Sequence, residues 1–120
     1  MMFENSKSIR DVAVVTGGGS GIGAACCQEL ASGGALVAVL DQNGEAAQKL
    51  AEEVGGAAFK CDISSEDQLI DTAKRVESGL GEVRILVNCA GVVQGRAGAY
   101  ELPMHKWDDI VRIDDVYTRN

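Results

Sequence analysis

The sequence predicts an α/β fold, with a parallel sheet of about four strands flanked by helices, over residues 1–120. Short apolar runs of strand length alternate along the chain with helix-forming segments of ten or more residues. Glycines mark most of the changes from one element to the next. In strand–helix–strand units the helix connects two parallel strands by a right-handed crossover. Successive strands are therefore expected to join one sheet in a single domain.

The first strand is predicted at 11–16, a β-branched run that ends in glycines. The first helix follows at 21–32, where Gly33 and Gly34 supply stop signals. The apolar run 35–40 then predicts the second strand. Neither strand alternates apolar with polar residues. This is typical of parallel strands that are covered on both faces.

The second helix is predicted over about 44–54. Asn43 can cap its N-terminus, and Gly55 with Gly56 would end it. A third, weaker strand follows at 57–61.

The third helix is predicted from a serine signal and from apolar spacing. Ser64 followed by Asp67 resembles a capping box with Asp in place of Glu. Gly79 and Gly81 would close the helix. Four apolar residues recur on one face: Leu69, Ile70, Ala73 and Val76.

The fourth strand is predicted at 83–87, followed by a glycine-containing loop at 91–98. Pro103 stands where a last helix would begin. On that helix Trp107, Ile110 and Val111 have the spacing of a packing face, which is favoured over a substrate pocket.

The fourth strand is also expected to lie at an edge of the sheet, because the doubly wound strand order is 3-2-1-4. It is apolar apart from Arg84, so its unpaired backbone groups would be a template for another chain. We therefore expect a homo-oligomer. We also expect Trp107 and Ile110 to lack part of the surface they pack on.

Composition narrows the classes of function. A formal net charge of −7 disfavours binding to nucleic acids and anionic membrane surfaces. Residues 1–10 have no apolar stretch of a signal peptide, and the longest apolar run, 35–40, is too short to cross a bilayer. A cytoplasmic location is the expectation.

The four cysteines show no C-x-x-C pair and no histidine at ligand spacing, so neither a metal site nor a disulfide framework is predicted. Cys61 and Cys89 lie near the ends of predicted strands, so a reactive thiol at either position is one interpretation. A small buried filler is the favoured interpretation of both.

A glycine-rich turn joins the first strand to the first helix, with the sequence T-G-G-G-S-G-I-G over 16–23. Gly17 can turn tightly, Gly21 can let a pyrophosphate approach the backbone, and Gly23 lets helix and strand pack closely. The helix N-terminus that follows offers free N–H groups and a partial positive charge. The turn is therefore a candidate phosphate site.

Asp41 ends the second strand, roughly 20 residues after Gly23, where a dinucleotide site needs an acceptor for the adenosine ribose. Alone, Asp41 would be interpreted as a turn or helix-entry residue. Together with the glycine turn, it predicts ribose binding and a preference for NAD.

The glycine turn and the sequence Asn88-Cys89-Ala90-Gly91 after the fourth strand together resemble the short-chain dehydrogenase/reductase family. The resemblance runs along nearly the whole chain, and the family's usual N-N-A-G is N-C-A-G in this sequence. It implies a Rossmann-like sheet, NAD as cofactor, and an alcohol or carbonyl compound as the small-molecule substrate of a complete enzyme.

The resemblance also implies particular contacts with the cofactor. Ser20 and Ile22 would meet the pyrophosphate, and Asp41 the adenine ribose. The adenine edge and the nicotinamide ribose would be met by the residues after the third and fourth strands: Asp62, Ile63, Asn88, Ala90 and Gly91. The carboxyl ends of neighbouring parallel strands meet at one edge, which agrees with these locations.

The sequence departs from the family where a proton relay and catalysis are concerned. The family's Asn, seven residues after Trp107, is here Asp114, which lacks the amide donors. Tyr100 does not start the family's Y-x-x-x-K, since residue 104 is Met, and His105 is a weak candidate base. No catalytic residue is therefore assigned, and the 120-residue chain alone is expected to be inactive.

Three other hypotheses remain open at this point. One is a dinucleotide-binding module without turnover, and another is a purely structural half-sheet whose site is empty. The third is a methyltransferase, whose sheet also has glycines after its first strand and an acid after its second. Methyltransferases favour G-x-G-x-G, however, and have no use for the sequence at 88–91.

Overall fold

A computed structural model describes residues 10–19, 21–89 and 105–109. Within these ranges strands and helices alternate, as the sequence predicts. The elements are β1 (Val12–Thr16), α1 (Gly21–Ser32), β2 (Leu36–Asp41), α2 (Gly44–Val54), β3 (Ala57–Lys60), α3 (Glu66–Gly79) and β4 (Val83–Asn88). Residues 105–109 are also helical. The predicted loop at 91–98 and Pro103 lie outside the described residues.

The strands form one parallel sheet in the order β3-β2-β1-β4, which confirms the predicted topology. Thr16, the last residue of β1, pairs with Leu40 on β2 and with Asn88 on β4. Asp41 pairs with Lys60 on β3. The carboxyl ends of the strands therefore lie along one edge of the sheet.

Helices cover both faces of the sheet, and alternate residues of β1 enter different layers. Ala13 and Val15 pack with α1 and α2 through apolar residues such as Cys27 and Leu50. On the opposite face, α3 and the 105–109 helix cover a second core: Val12, Val14, Ala38, Leu40, Leu69, Ala73, Val76 and Trp107. All five residues of β1 are buried, as the uninterrupted apolar run implies.

The strand boundaries differ slightly from the prediction, most clearly at β2, which begins and ends one residue later. The Ala35 N–H donates to Leu30 O at 3.0 Å, so Ala35 belongs to the turn that closes α1. At the other end the Asp41 carbonyl accepts the Cys61 N–H at 3.0 Å, so the ladder with β3 includes Asp41. Asp41 is thus placed by the sheet itself.

The cap of α2 is confirmed and the cap of α3 is corrected. The Asn43 side chain accepts the Ala46 N–H at 3.1 Å, and Gly55 closes α2 in the left-handed conformation with φ of 70°. For α3 the cap is Ser65, which accepts from Gln68 N, and the predicted capping by Ser64 is wrong. Ser64 instead donates its hydroxyl hydrogen to Asp62 Oδ1 at 2.7 Å.

Trp107 is fully buried, at 0% exposure, so the expectation that it lacks part of its packing surface is wrong. Its indole Nε1–H donates to Glu77 Oε2 at 3.0 Å, and the same oxygen accepts the Val83 N–H at 3.1 Å. One carboxylate on α3 therefore holds both the 105–109 helix and the start of β4. Ile110 and Val111 lie outside the described residues.

None of the helices in the described ranges has the length and apolar character needed to cross a bilayer.

Candidate functional site

The glycine turn after β1 is held against the end of β2 by its own backbone. The N–H groups of Gly17 and Gly18 both donate to Leu40 O, at 2.7 and 3.2 Å. Gly17 has φ of 69°, a left-handed conformation that favours glycine. The turn is therefore fixed to the sheet before any ligand contributes.

Gly23 has no room for a side chain. A Cβ at this position would collide with the Gly17 carbonyl oxygen and lie 2.8 Å from Gly18 Cα. Gly21 is different, because a Cβ there would meet no atom within 4 Å among the other described residues, apart from its chain neighbours and the backbone of its own helix. Gly23 is therefore a glycine that allows close packing, whereas Gly21 lies beside open space.

The N-terminus of α1 borders that open space. Its first turn contains no acidic side chain that would repel an anion. Ile22, in the same turn, is 54% exposed and is the only large hydrophobic side chain among the described residues that is exposed. An exposed apolar side chain at a helix N-terminus suits a ligand that has both phosphate and apolar parts. Ser20 lies outside the described residues.

Asp41 connects the glycine turn with the entrance to α2. Its Oδ2 accepts the Gly19 N–H at 2.9 Å, and its Oδ1 accepts the Asn43 N–H at 2.9 Å. Each carboxylate oxygen has two lone pairs, so each can accept one more hydrogen bond. The side chain is half-buried and can still be reached from the edge of the sheet.

Asp62 and Ile63 follow β3, and their side chains are placed differently. Hydrogen bonds from the Ser64 hydroxyl and the Ser64 N–H lower the pKa of the Asp62 carboxyl. The Asp62 N–H in turn donates to Gln68 Oε1 at 2.9 Å. The Ile63 side chain belongs to the core, so its main chain is the part left to face a ligand.

The end of β4 is joined to the end of β1 through Thr16, which is 0% exposed. The Thr16 hydroxyl lies 3.4 Å from both Val87 O and Asn88 Oδ1. The Cys89 N–H donates to Thr16 O at 3.0 Å and also lies 3.3 Å from Thr16 Oγ1. Asn88 thus stands beside the glycine turn, while Ala90 and Gly91 lie outside the described residues.

These contacts place the glycine turn, Asp41, Asp62 and Asn88 along one edge of the sheet, with Asp41 and Asn88 as the last residues of β2 and β4. Sequence patterns did not reveal two of the connections, the Gly19 N–H on Asp41 and the Thr16 hydroxyl at the end of β4. The strand-end position of Thr16 was the available signal for the second. Within the described ranges no three His, Cys, Asp or Glu side chains are grouped closely enough to hold a metal ion.

Comparisons with known proteins agree with this geometry. The family model described as short chain dehydrogenase matches residues 11–115. D-threitol dehydrogenase from Mycolicibacterium smegmatis is 40% identical over 108 residues, which cover 86% of this chain and 41% of that protein. The 7alpha-hydroxysteroid dehydrogenase from Escherichia coli is 41% identical over 108 residues, covering 83% of this chain and 42% of that protein.

Solved structures show the same fold. Hydroxysteroid dehydrogenase from Escherichia coli superimposes with a TM-score of 0.67 at 37% identity, over 85% of this chain and 44% of that chain. A 3-ketoacyl-(acyl-carrier-protein) reductase from Brucella melitensis, complexed with NADH, superimposes with a TM-score of 0.62 at 35% identity. That match covers 66% of this chain and 34% of the reductase.

The chain spans about 40% of the length of the curated relatives it matches. The family model covers most of the chain, and the strand order and the glycine turn agree with it. The methyltransferase hypothesis is therefore wrong, and the chain belongs to the short-chain dehydrogenase family.

Proposed function

We propose that this chain binds NAD along the carboxyl edge of its sheet, with the glycine turn at the pyrophosphate and Asp41 at the adenine ribose. The observation that carries the proposal is the 2.9 Å hydrogen bond from Gly19 N to Asp41 Oδ2. It holds the proposed ribose acceptor directly against the proposed phosphate turn, which are neighbouring parts of a dinucleotide site. Asp41 keeps lone pairs to accept ribose hydroxyl groups.

The shape of the turn supports the same ligand. The open space beside Gly21 would let a pyrophosphate reach the N–H groups at the start of α1. Ile22, exposed in this structure, would be covered by the cofactor. In this proposal Gly17 shapes the turn, Gly23 allows α1 to pack beside it, and Ser20 contributes to the pyrophosphate contacts.

The remaining contacts follow the strand ends. Asp62 and the main chain of Ile63 would line the adenine edge, after β3. Asn88, Ala90 and Gly91 would lie beside the nicotinamide ribose, after β4. Asn88 is partly structural in this proposal, because its Oδ1 lies 3.4 Å from the Thr16 hydroxyl.

For the whole protein we propose hydride transfer between a nicotinamide cofactor and an alcohol or carbonyl substrate. Bound NAD would supply the hydride chemistry, whereas this chain's residues bind and orient the cofactor. The family assignment supports this proposal, and so does the neighbour complexed with NADH. A cytoplasmic location is consistent with four cysteines that are all free thiols.

Replacing Asp41 with asparagine tests the ribose assignment. The parent chain is expected to bind NAD about tenfold or more tightly than NADP, because the Asp41 charge would repel a 2′-phosphate of about two negative charges. The Asp41→Asn variant removes the charge while keeping the size of the side chain. Its preference for NAD is expected to fall toward equality, as measured by calorimetric titration with each cofactor.

Glu53→Gln is the matched control, since it removes a carboxylate from an exposed site near the end of α2. It should leave the NAD preference unchanged. Equal binding of NAD and NADP by the parent chain would show that Asp41 does not contact the ribose, and so would an unchanged preference in Asp41→Asn.

We also propose that the chain associates with itself through β4. Within the described residues β4 pairs only with β1, and Ile85, Leu86 and Val87 remain half-buried. The corresponding β1 residues are fully covered. An apolar strand with an open backbone edge is a template for pairing, and Arg84 is the one charge along it.

Light scattering across a concentration series tests this association. The parent chain is expected to form a dimer or larger species, and Ile85→Lys should shift it toward monomer by placing a charge on the strand. Gln48→Lys adds the same charge on the exposed face of α2 and should leave the association unchanged. A parent chain that stays monomeric at all concentrations, with native circular dichroism, would exclude self-association through β4.

A further inference from the structure

Two cysteines from distant parts of the chain face each other beside the proposed cofactor site. Cys26 lies on α1 and Cys89 directly follows β4, 63 positions further along the chain. Their Sγ atoms are 3.9 Å apart. Cys89 takes the second position of the N-C-A-G sequence, where the family usually has asparagine. The pair therefore belongs to this sequence and not to the common family pattern.

The backbones that carry the two thiols are firmly held. Cys89 N donates to Thr16 O at 3.0 Å, which fixes the end of β4 to the end of β1. Cys26 stands on α1 one turn after Gly23, and both cysteines pack into the core layer between α1 and the sheet. A disulfide needs its sulfur atoms about 2.05 Å apart, so the two Sγ atoms, now 3.9 Å apart, must approach by roughly 2 Å.

We propose that Cys26 and Cys89 are an oxidation site that a peroxide converts to a reversible disulfide, cross-linking α1 to the end of β4. In the first step the Cys26 sulfur takes one oxygen atom from the peroxide to become a sulfenic acid, and water or an alcohol leaves. In the second step the Cys89 sulfur loses its proton and displaces hydroxide from the Cys26 sulfur, which leaves as water. Two thiols thus lose two electrons, which reduce the peroxide.

The order of the two steps follows from exposure. Cys26 is partly exposed, whereas Cys89 is 3% exposed. Burial, together with the neighbouring Cys26, raises the pKa of Cys89 to about 11, so Cys89 is a protonated thiol at neutral pH. Peroxide is therefore expected to reach Cys26 first, and Cys89 to resolve the sulfenic acid.

Burial makes the other two cysteines poor candidates for the first reaction with peroxide. Cys27 is fully buried, and burial raises its pKa to about 12. Cys61 is buried in the core on the opposite face of the sheet, where burial also raises its pKa. Cys61, at 2% exposure, fits the buried-filler interpretation that the sequence favoured for Cys61 and Cys89, whereas the proposal gives Cys89 a reactive role.

Mass spectrometry of the folded full chain tests the proposal. One equivalent of hydrogen peroxide is expected to remove two hydrogen atoms from the chain, and a non-reducing peptide map should show Cys26 joined to Cys89. Dithiothreitol should restore the thiols. Cys61→Ser, a control outside the pair, should oxidise in the same way, whereas Cys26→Ser and Cys89→Ser should form no internal disulfide.

Several results would overturn the proposal: a Cys26–Cys27 link, an intermolecular disulfide as the main product, or stable addition of oxygen at Cys26 without a cross-link. Circular dichroism of each serine variant would establish that it is folded before oxidation. The Cys61→Ser chain keeps both thiols of the pair, so it tests the cross-link even if one of the other variants fails to fold.

The disulfide is also expected to weaken NAD binding about tenfold, an effect that rests on the proposed function. Drawing the sulfurs together would shift Asn88 and Cys89 relative to the N-terminus of α1. Calorimetry with NAD on the reduced and oxidised chains tests this coupling, and equal affinities would overturn it. If neither the reduced nor the oxidised chain binds NAD, the proposed function is wrong. The peptide map still shows whether Cys26 and Cys89 form a disulfide.

Discussion

Replacing Gly23 with alanine is expected to lower the free energy of unfolding by about 3 kcal/mol and to abolish measurable NAD binding. The added Cβ would collide with the Gly17 carbonyl oxygen and stand 2.8 Å from Gly18 Cα. These are backbone atoms, so neither can rotate away as a side chain would. The turn would have to move, yet Leu40 O holds it through the N–H groups of Gly17 and Gly18.

This loss is a large share of the total stability, because domains of this kind have a free energy of unfolding of only about 5–15 kcal/mol. Urea denaturation followed by circular dichroism measures it. Gly79→Ala is the matched control, since a Cβ there, at the last residue of α3, would meet no other part of the described chain within 4 Å beyond its own helix and chain neighbours. It is expected to be neutral or stabilising by up to about 1 kcal/mol. A Gly23→Ala chain as stable as the parent would contradict the packing of α1 against the turn.

The order of strands and helices could be predicted because it depends on local patterns. The uninterrupted apolar run of β1 and the alternation with helices indicate a parallel sheet covered on both faces. The carboxyl ends of parallel strands meet at one edge, which is why Asp41 and Asn88, at the ends of β2 and β4, could be predicted to share that edge. Local chemistry was also sufficient for Asn43 and Gly55 at the ends of α2.

The cap of α3 was mispredicted because two serines stand side by side and the sequence does not say which one is free to cap. The Asp62 carboxylate decides between them. Its Oδ1 accepts both the N–H and the hydroxyl of Ser64, at 3.0 and 2.7 Å, and this leaves Ser65 to accept from Gln68 N. The spacing of residues along the sequence does not predict which of two neighbouring side chains of similar chemistry makes a given hydrogen bond.

Contacts between distant residues were the other part that could not be predicted. Cys26 and Cys89 are separated by 63 residues, and Glu77 and Trp107 by 30. Each pair meets only after the sheet has brought α1 beside β4, or α3 beside the 105–109 helix. Apolar spacing indicated that Trp107 packs inward, but not that Glu77 would accept its indole hydrogen.

Trp107→Ala is expected to reduce the free energy of unfolding by about 3–5 kcal/mol, the range for removing a large buried aromatic side chain. Trp107 is 0% exposed and packs in the core with Val83 and residues of α3. Truncation would leave a cavity between the sheet and the 105–109 helix. It would also remove the indole donor from Glu77 Oε2.

Trp107→Phe separates these two contributions, because phenylalanine fills much of the same volume but has no N–H to donate. Its cost should be about 1–2 kcal/mol, since Glu77 Oε2 still accepts the Val83 N–H. His105→Ala, on the exposed side of the same helix, should change stability by no more than about 0.5 kcal/mol. Urea denaturation measures all three variants. A loss below about 1 kcal/mol for Trp107→Ala would mean that the 105–109 helix does not pack on this face of the sheet.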